Sequence, residues 1–275
     1  MKIDILSDIH IDMWHDPKST LTLRKKRMFF ERALPRSSGE VLVIAGDLGH
    51  HNKQNLTLLK WFQDEYGYII VYVWGNHDYY LVSNSQRSEY KNSIVKAQEL
   101  RDIINEQEGM YHLDGEVIEV NGIRFGGCNG WYDGSLYNKN NELTNVLWRD
   151  YMNDVNIKLP AGEKRLRFDT FHQQDLPKIE AVHKECDVMI THVCPVADWS
   201  IFRAMYGEQD PVRAFYCFDG RRFIKEGTMQ YWIFGHTHKS YDKEHFGKQL
   251  ICNPLGRPSI GKTKPTVSSK QIEVL

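Results

Sequence analysis

Five short apolar runs punctuate the chain, at 3–6, 41–45, 69–74, 188–190 and 231–234. Apolar residues fill them almost continuously instead of alternating with polar ones. Each therefore reads as a strand buried on both faces, as in parallel sheets. Helix-compatible stretches at 21–34 and 55–66 separate the first three runs, one at about 83–107 follows the third, and 178–184 leads into the fourth. Strands and helices in alternation predict an α/β fold. Between 116 and 128 the texture changes: "EVIEVNGIRFGG" alternates on either side of Asn121-Gly122, which predicts a hairpin. "KQLICNPLG" and "KQIEV" near the end predict further β structure. The stretch 129–176 is polar, aromatic-rich and irregular, a length at which loops carry function or short helices of their own. With no repeat and no Gly/Ser-rich linker, 1–275 reads as a single domain with inserted segments around 129–176 and 195–227.

Composition narrows the function. Lys and Arg number 35 against 36 Asp and Glu, a net charge of -1, which excludes a chain-wide basic field for nucleic acid and leaves only a local groove. The basic run Arg24-Lys25-Lys26-Arg27 reads as the solvated face of a helix. Five scattered cysteines with no CxxC predict reduced thiols in a cytosolic type of compartment. The opening "MKIDILSDIH" is too short and polar for a signal peptide, and no apolar stretch reaches membrane length. The expectation is a cytoplasmic protein with no membrane association and no obligatory protein partner.

The chemistry sits just after the apolar runs. Asp8 and His10 follow the first, Asp47 the second, Asn76-His77-Asp78 the third, His192 the fourth, and His236 and His238 the fifth. In an open α/β sheet the carboxyl ends of the strands share one edge, where ligands bind. Imidazoles, carboxylates and an amide oxygen are the donor set of Zn, Mn, Fe or similar divalent ions. Asp8, His10, Asp47, Asn76, His192, His236 and His238 are too many for one ordinary site. They suit two ions sharing a bridging carboxylate, an arrangement that clamps phosphoryl oxygens.

Taken in order, D-x-H, G-D, G-N-H-D, H and G-H-T-H resemble the signature of the calcineurin-like metallophosphoesterases, and the blocks span residues 8–238. "CNPLG" at 252–256 is similar to the N-P-G strand that often follows the last block. The resemblance implies a four-layer αββα sandwich with a dimetal site at the strand ends. It places Asp8, His10 and His238 on the first ion, Asn76, His192 and His236 on the second, and Asp47 between them. Manganese is the leading cofactor, with Fe, Zn, Ni or Mg as the other candidates. The implied reaction is hydrolysis of a phosphomonoester or phosphodiester by a metal-bound hydroxide, with His77 as general acid and Asp78 orienting its ring.

The sequence departs from the pattern at the G-D block, which often continues with an acidic residue. Here it continues Leu48-Gly49-His50-His51, and the two histidines read as exposed loop residues. Substrate choice falls to the insertions, which hold Trp131, Tyr132, Tyr137, Trp148, Arg149, Arg203, Tyr206, Arg213 and Arg222. These side chains either pack the insertions on the core or grip a substrate, with Trp131, Trp148 and Arg149 as the candidates for contact. A nucleotide or short nucleic-acid phosphoester is the favoured substrate. The alternatives are a DNA nuclease of the same superfamily and a non-catalytic scaffold.

Overall fold

The computed structural model describes residues 1–275 apart from 21, 35–38, 138–140, 164, 199, 203–210, 259–264 and 266. In chain order the strands are β1 (Lys2–Leu6), β2 (Val41–Ala45), β3 (Ile69–Val73), β4 (Met110–His112), β5 (Val117–Val120) and β6 (Ile123–Gly127). They continue with β7 (Val188–Ile190), β8 (Tyr231–Phe234), β9 (Tyr241–His245), β10 (Lys248–Cys252) and β11 (Gln271–Glu273). One sheet has the order β11-β1-β2-β3-β4, the other β5-β6-β7-β8-β10-β9. Within them β1 to β4 run parallel, as do β6, β7, β8 and β10; β11, β5 and β9 are antiparallel edges.

The two-sided burial expected of the apolar runs has a simple cause. Ile3, Ile5, Val41, Val43, Val71 and Val73 of the first sheet form one cluster with Phe125, Val188, Ile190 and Ile233 of the second. The opposite parity, Leu42, Ile44, Ile70 and Tyr72, clusters with Phe30, Leu58, Leu59 and Phe62 from helices α1 (Leu23–Phe30) and α2 (Asn52–Tyr66). On the far side Met189 and Trp232 belong with Ile179 and Val182 of a helix over Thr170–Val182. The layers are helix, sheet, sheet, helix, and both sheets lie inside.

Several boundaries moved for local reasons. The stretch 83–107 is two helices, Asn84–Glu89 and Ser93–Asn105, because the Asn92 side chain accepts from Val95 N at 3.0 Å and starts the second afresh. The helix expected from 178 begins at Thr170 and runs through Pro177. Its buried Phe171, Asp175, Ile179 and Val182 make a helical stripe that outweighs the proline. The hairpin forms as expected, with Val120 opposite Ile123 and positive φ at Asn121 (49°) and Gly122 (82°). Two strands were not anticipated: β4, and β9, whose exposed Asp242, Lys243 and Glu244 suit a sheet edge. The first insertion holds a helix over Asn141–Tyr151 and a 3₁₀ turn over Asn153–Asn156. All five cysteines are free and buried. Among the described residues no helix is long and apolar enough to cross a membrane.

The carboxyl ends of the two sheets meet. After β10, Leu255 N donates to Ser7 O (2.8 Å) and Gly256 N to Asp8 O (2.9 Å), so "NPLG" clasps the loop that leaves β1.

Candidate metal centre

The loops leaving β1, β2, β3, β7 and β8 pack so closely that those after β2, β3 and β8 need glycine. A Cβ on Gly75 would stand 2.1 Å from Asp47 Oδ1, and one on Gly46 2.3 Å from His192 Nδ1. Asp8, His10, Asp47, His236 and His238 all adopt left-handed backbone, with φ of 49°, 45°, 59°, 66° and 52°. Among the described residues only Asn121 and Phe246 join them as non-glycines. Each such residue costs on the order of 1–3 kcal/mol, and strain of this kind gathers where side chains must be aimed.

They are aimed at one another. Ligand-type atoms of Asp8, His10, Asp47 and His238 all lie within 4.8 Å of each other. His238 Nε2 is 3.2 Å from both His10 Nε2 and Asp8 Oδ1. Asp47 Oδ2 lies 3.6 Å from His10 Nε2 and 3.5 Å from His192 Nε2, and His192 Nε2 is 3.2 Å from Asn76 Oδ1. The His236 ring stands 4.9 Å from that of His192. Backbone carbonyls set the ring orientations: His192 Nδ1 donates to Ala45 O (2.8 Å) and His236 Nε2 to Phe215 O (2.9 Å). That leaves His192 Nε2 and His236 Nδ1 free to ligate. All seven expected ligands are therefore in one place, beside a cavity of about 340 Å³ that Asp47, Asn76, His77, His236 and His238 help to line.

The electrostatics fit cations. Burial pushes His10, His192 and His236 down, the last to about 3, so the imidazoles are neutral at physiological pH, as ligation requires. Burial and the carboxylates of Asp8 and Asp78 push the Asp47 carboxyl well up. Asp47 Oδ1 accepts from His77 N (2.8 Å), but Oδ2 is buried with no hydrogen-bond partner among the described residues. A carboxylate oxygen orphaned among neutral imidazoles is a place for positive charge, and the all-N/O donor set fits divalent transition ions.

The surroundings of His77 correct the expectation for Asp78. Asp78 Oδ2 accepts from Tyr72 Oη, Gly75 N (2.7 Å) and Asp47 N (3.2 Å), and so braces the loops rather than the imidazole. The ring is held by His50, whose Nε2 lies 2.8 Å from His77 Nδ1 and whose Nδ1 lies 2.6 Å from Asp12 Oδ2. His50 is thus buried, against expectation, and His51 is half-buried. Arg257 Nη2 sits 2.6 Å from His77 Nε2. Guanidinium only donates, so Nε2 accepts, Nδ1–H donates to His50, and His50 Nδ1–H donates to Asp12. Burial, with His10, His50 and Arg257 nearby, keeps His77 well below the usual imidazole range.

Sequence reasoning missed Asp154. It is buried in the first insertion; its Oδ1 accepts from Asn76 Nδ2 (2.9 Å) and Tyr80 Oη, its Oδ2 from Tyr132 Oη (2.6 Å). Trp148 Nε1 donates in turn to Tyr132 Oη (2.6 Å). This network turns the Asn76 carbonyl toward His192. It also corrects the substrate-contact expectation: Trp148 (1 % exposed) and Trp131 (2 %) are core residues. Trp131 stacks on Phe171 at 4.7 Å, and half-buried Arg149 does not line the cavity. Tyr132 and Arg213 are buried and Arg222 pairs with Glu180, while Arg203, Tyr206 and the Tyr137 side chain lie outside the described residues. Asp154→Asn puts an amide N–H against the Asn76 and tyrosine donors. It is expected to weaken one of two metal-binding events about 10–100-fold in calorimetry and leave the other nearly intact.

A family model described as calcineurin-like phosphoesterase matches residues 1–240. No curated protein matches the sequence. Among solved structures, phosphopantetheinyl hydrolase from Mycobacterium tuberculosis superposes with a TM-score of 0.65 at 15% identity, over 98% of this chain and 95% of its own. An archaeal phosphodiesterase gives a TM-score of 0.36 at 15% identity, over 99% of each chain. The first likeness shows a shared fold. Members of the matched family generally bind two divalent metals. Because the match runs from β1 through the last histidine of the cluster, this chain belongs to the calcineurin-like phosphoesterases, hydrolases that act on phosphoesters.

Proposed function

We propose that the chain hydrolyses a phosphoester with two divalent cations, manganese foremost, held by Asp8, His10, Asp47, Asn76, His192, His236 and His238. The observation that carries this reading is Asp47 Oδ2, buried and unpartnered between His10 and His192. Asp8, His10 and His238 gather on one side of it; His192, Asn76 and His236 gather on the other. When bound, the ions would supply positive charge against the phosphoryl oxygens and a nucleophile from water at neutral pH. Arg257 and Lys239 line the cavity and would pair with the remaining phosphoryl oxygens. As the new O–P bond forms and the ester P–O bond breaks, His77 Nε2, freed from Arg257, takes up the proton that the attacking water gives up and passes it to the departing oxygen. The Asp12–His50 pair holds the His77 ring for that transfer. The favoured substrate is a nucleotide or short nucleic-acid phosphoester, acted on by a single domain over 1–275. Support for it comes from the cations at the cavity rather than from the buried tryptophans.

Metal removal tests the reading. Chelated protein is expected to take up two transition ions per chain by elemental analysis and to hydrolyse nitrophenyl phosphoesters only when loaded. Loading should also raise thermal stability, by about 2.7 kcal/mol per ion at a free ion concentration 100 times Kd. Uptake of a single ion by the wild type would overturn the two-ion assignment.

A further inference from the structure

A second, larger groove adjoins the metal cavity, about 840 Å³ against about 340 Å³. His77, Tyr80, Asn153 and Arg257 line both. Beyond that shared wall the groove is lined by the cations Arg87 and Lys158 and by apolar Met13, Leu81 and Val82, with no carboxylate among its lining residues. Arg87 and Lys158 are exposed, and among the described residues the one side-chain partner of Arg87 is neutral, Asn84 Oδ1 at 3.2 Å. Some arginines elsewhere on the surface do face acids: Arg27 with Glu65, Arg124 with Asp187, Arg221 with Asp219. Among the described residues Arg87, Lys158 and Arg257 make no ion pair, so in a chain of net charge -1 this one groove gathers three cations.

We propose that this groove receives the leaving group, and that the leaving group is a nucleotide carrying a phosphate of its own. The inference deepens the phosphoesterase reading and rests on His77 as proton donor, because whatever departs over His77 emerges into the groove. Arg87 and Lys158 supply charge-assisted contacts for the second phosphate. Met13, Leu81 and the exposed Val82 offer the apolar surface a base needs. Arg257 couples the two chambers: its contact with His77 Nε2 occupies the nitrogen that must hold the donated proton. A phosphate is a stronger acceptor for guanidinium than a neutral imidazole, so an arriving substrate draws Arg257 away and frees Nε2.

The test compares kcat/KM of the Mn²⁺-loaded protein on matched substrates whose leaving group has or lacks a phosphate. The pairs are adenosine 3′,5′-bisphosphate against adenosine 5′-monophosphate, and dithymidine monophosphate with and without a terminal phosphate at either end. The added phosphate is expected to raise kcat/KM on the order of tenfold in at least one pair at low salt. The gain should shrink as salt rises, because the groove cations are exposed. In Arg87→Gln/Lys158→Gln the ratio within that pair should fall toward one, with the wild-type salt titration as the check that needs no variant. A wild-type gain below about twofold in both pairs, or a gain that survives in the double variant, overturns the assignment. Hydrolysis of bis(p-nitrophenyl) phosphate separates the two readings. If it proceeds while the phosphate gain is absent, the groove inference falls alone; if no ester is hydrolysed with any divalent ion, both fall.

Discussion

Asp47→Asn is expected to abolish both metal-binding events together and to lower turnover by at least 10²–10³-fold, the scale of losing one major electrostatic partner of a transition state. The geometry makes the substitution severe although it changes one atom. Asp47 Oδ1 accepts from His77 N, and Oδ2 faces the Nε2 atoms of His10 and His192. If the Asn oxygen keeps the His77 contact, the amide N–H₂ points at both imidazoles and takes the lone pairs that the ions need. If the amide flips, two donors collide at His77 N. Stability supplies an independent readout. Burial and the neighbouring carboxylates raise the Asp47 carboxyl in the metal-free fold. A carboxyl raised above its unfolded value contributes stability below that unfolded value and loses it as pH climbs through the raised one. Metal-free Asp47→Asn should therefore melt no lower than metal-free wild type at neutral pH, whereas loaded wild type should exceed both. One ion retained at full affinity in Asp47→Asn would show that Asp47 is not shared.

The parts of this site that were legible in the sequence are those tied to strand ends. A parallel strand delivers the residue two or three positions past its last apolar side chain to a known edge, so Asp8, Asp47, Asn76, His192 and His236 could be placed together before any coordinates. Their supports could not. Asp154 reaches Asn76 from an insertion 78 residues away, and nothing in "MNDVN" marks its carboxylate as buried. Asp12 and His50 are 38 residues apart and become partners only because the loops after β1 and β2 lie side by side. One clue was present: the G-D block often continues with an acidic residue in this family, here it continues Leu48-Gly49-His50-His51, and His50 performs the task expected of Asp78. The tryptophans misled for the opposite reason. Composition makes an aromatic-rich insertion look like a binding surface, whereas Trp131 and Trp148 serve to bury that insertion on the core.

His77→Ala should retain both metals and lose activity in proportion to how badly the leaving group needs a proton. A nitrophenolate departs readily as an anion; an alkoxide such as a ribose oxygen does not. The loss is expected to be on the order of 10²–10⁴-fold on an alkyl ester and clearly smaller on the nitrophenyl ester. Because His50 Nε2, and not Asp78, meets His77 Nδ1, His50→Ala should reproduce this leaving-group pattern more weakly. Asp78→Asn should behave differently. It disturbs the contacts to Gly75 N and Asp47 N, so its losses should appear equally on both esters and in metal affinity. Measuring kcat/KM for both esters in the three variants, with metal content by elemental analysis, distinguishes the roles. An equal loss on the two esters in His77→Ala, or loss of metal from it, would mean that His77 serves the ions or the bound substrate and not the departing oxygen.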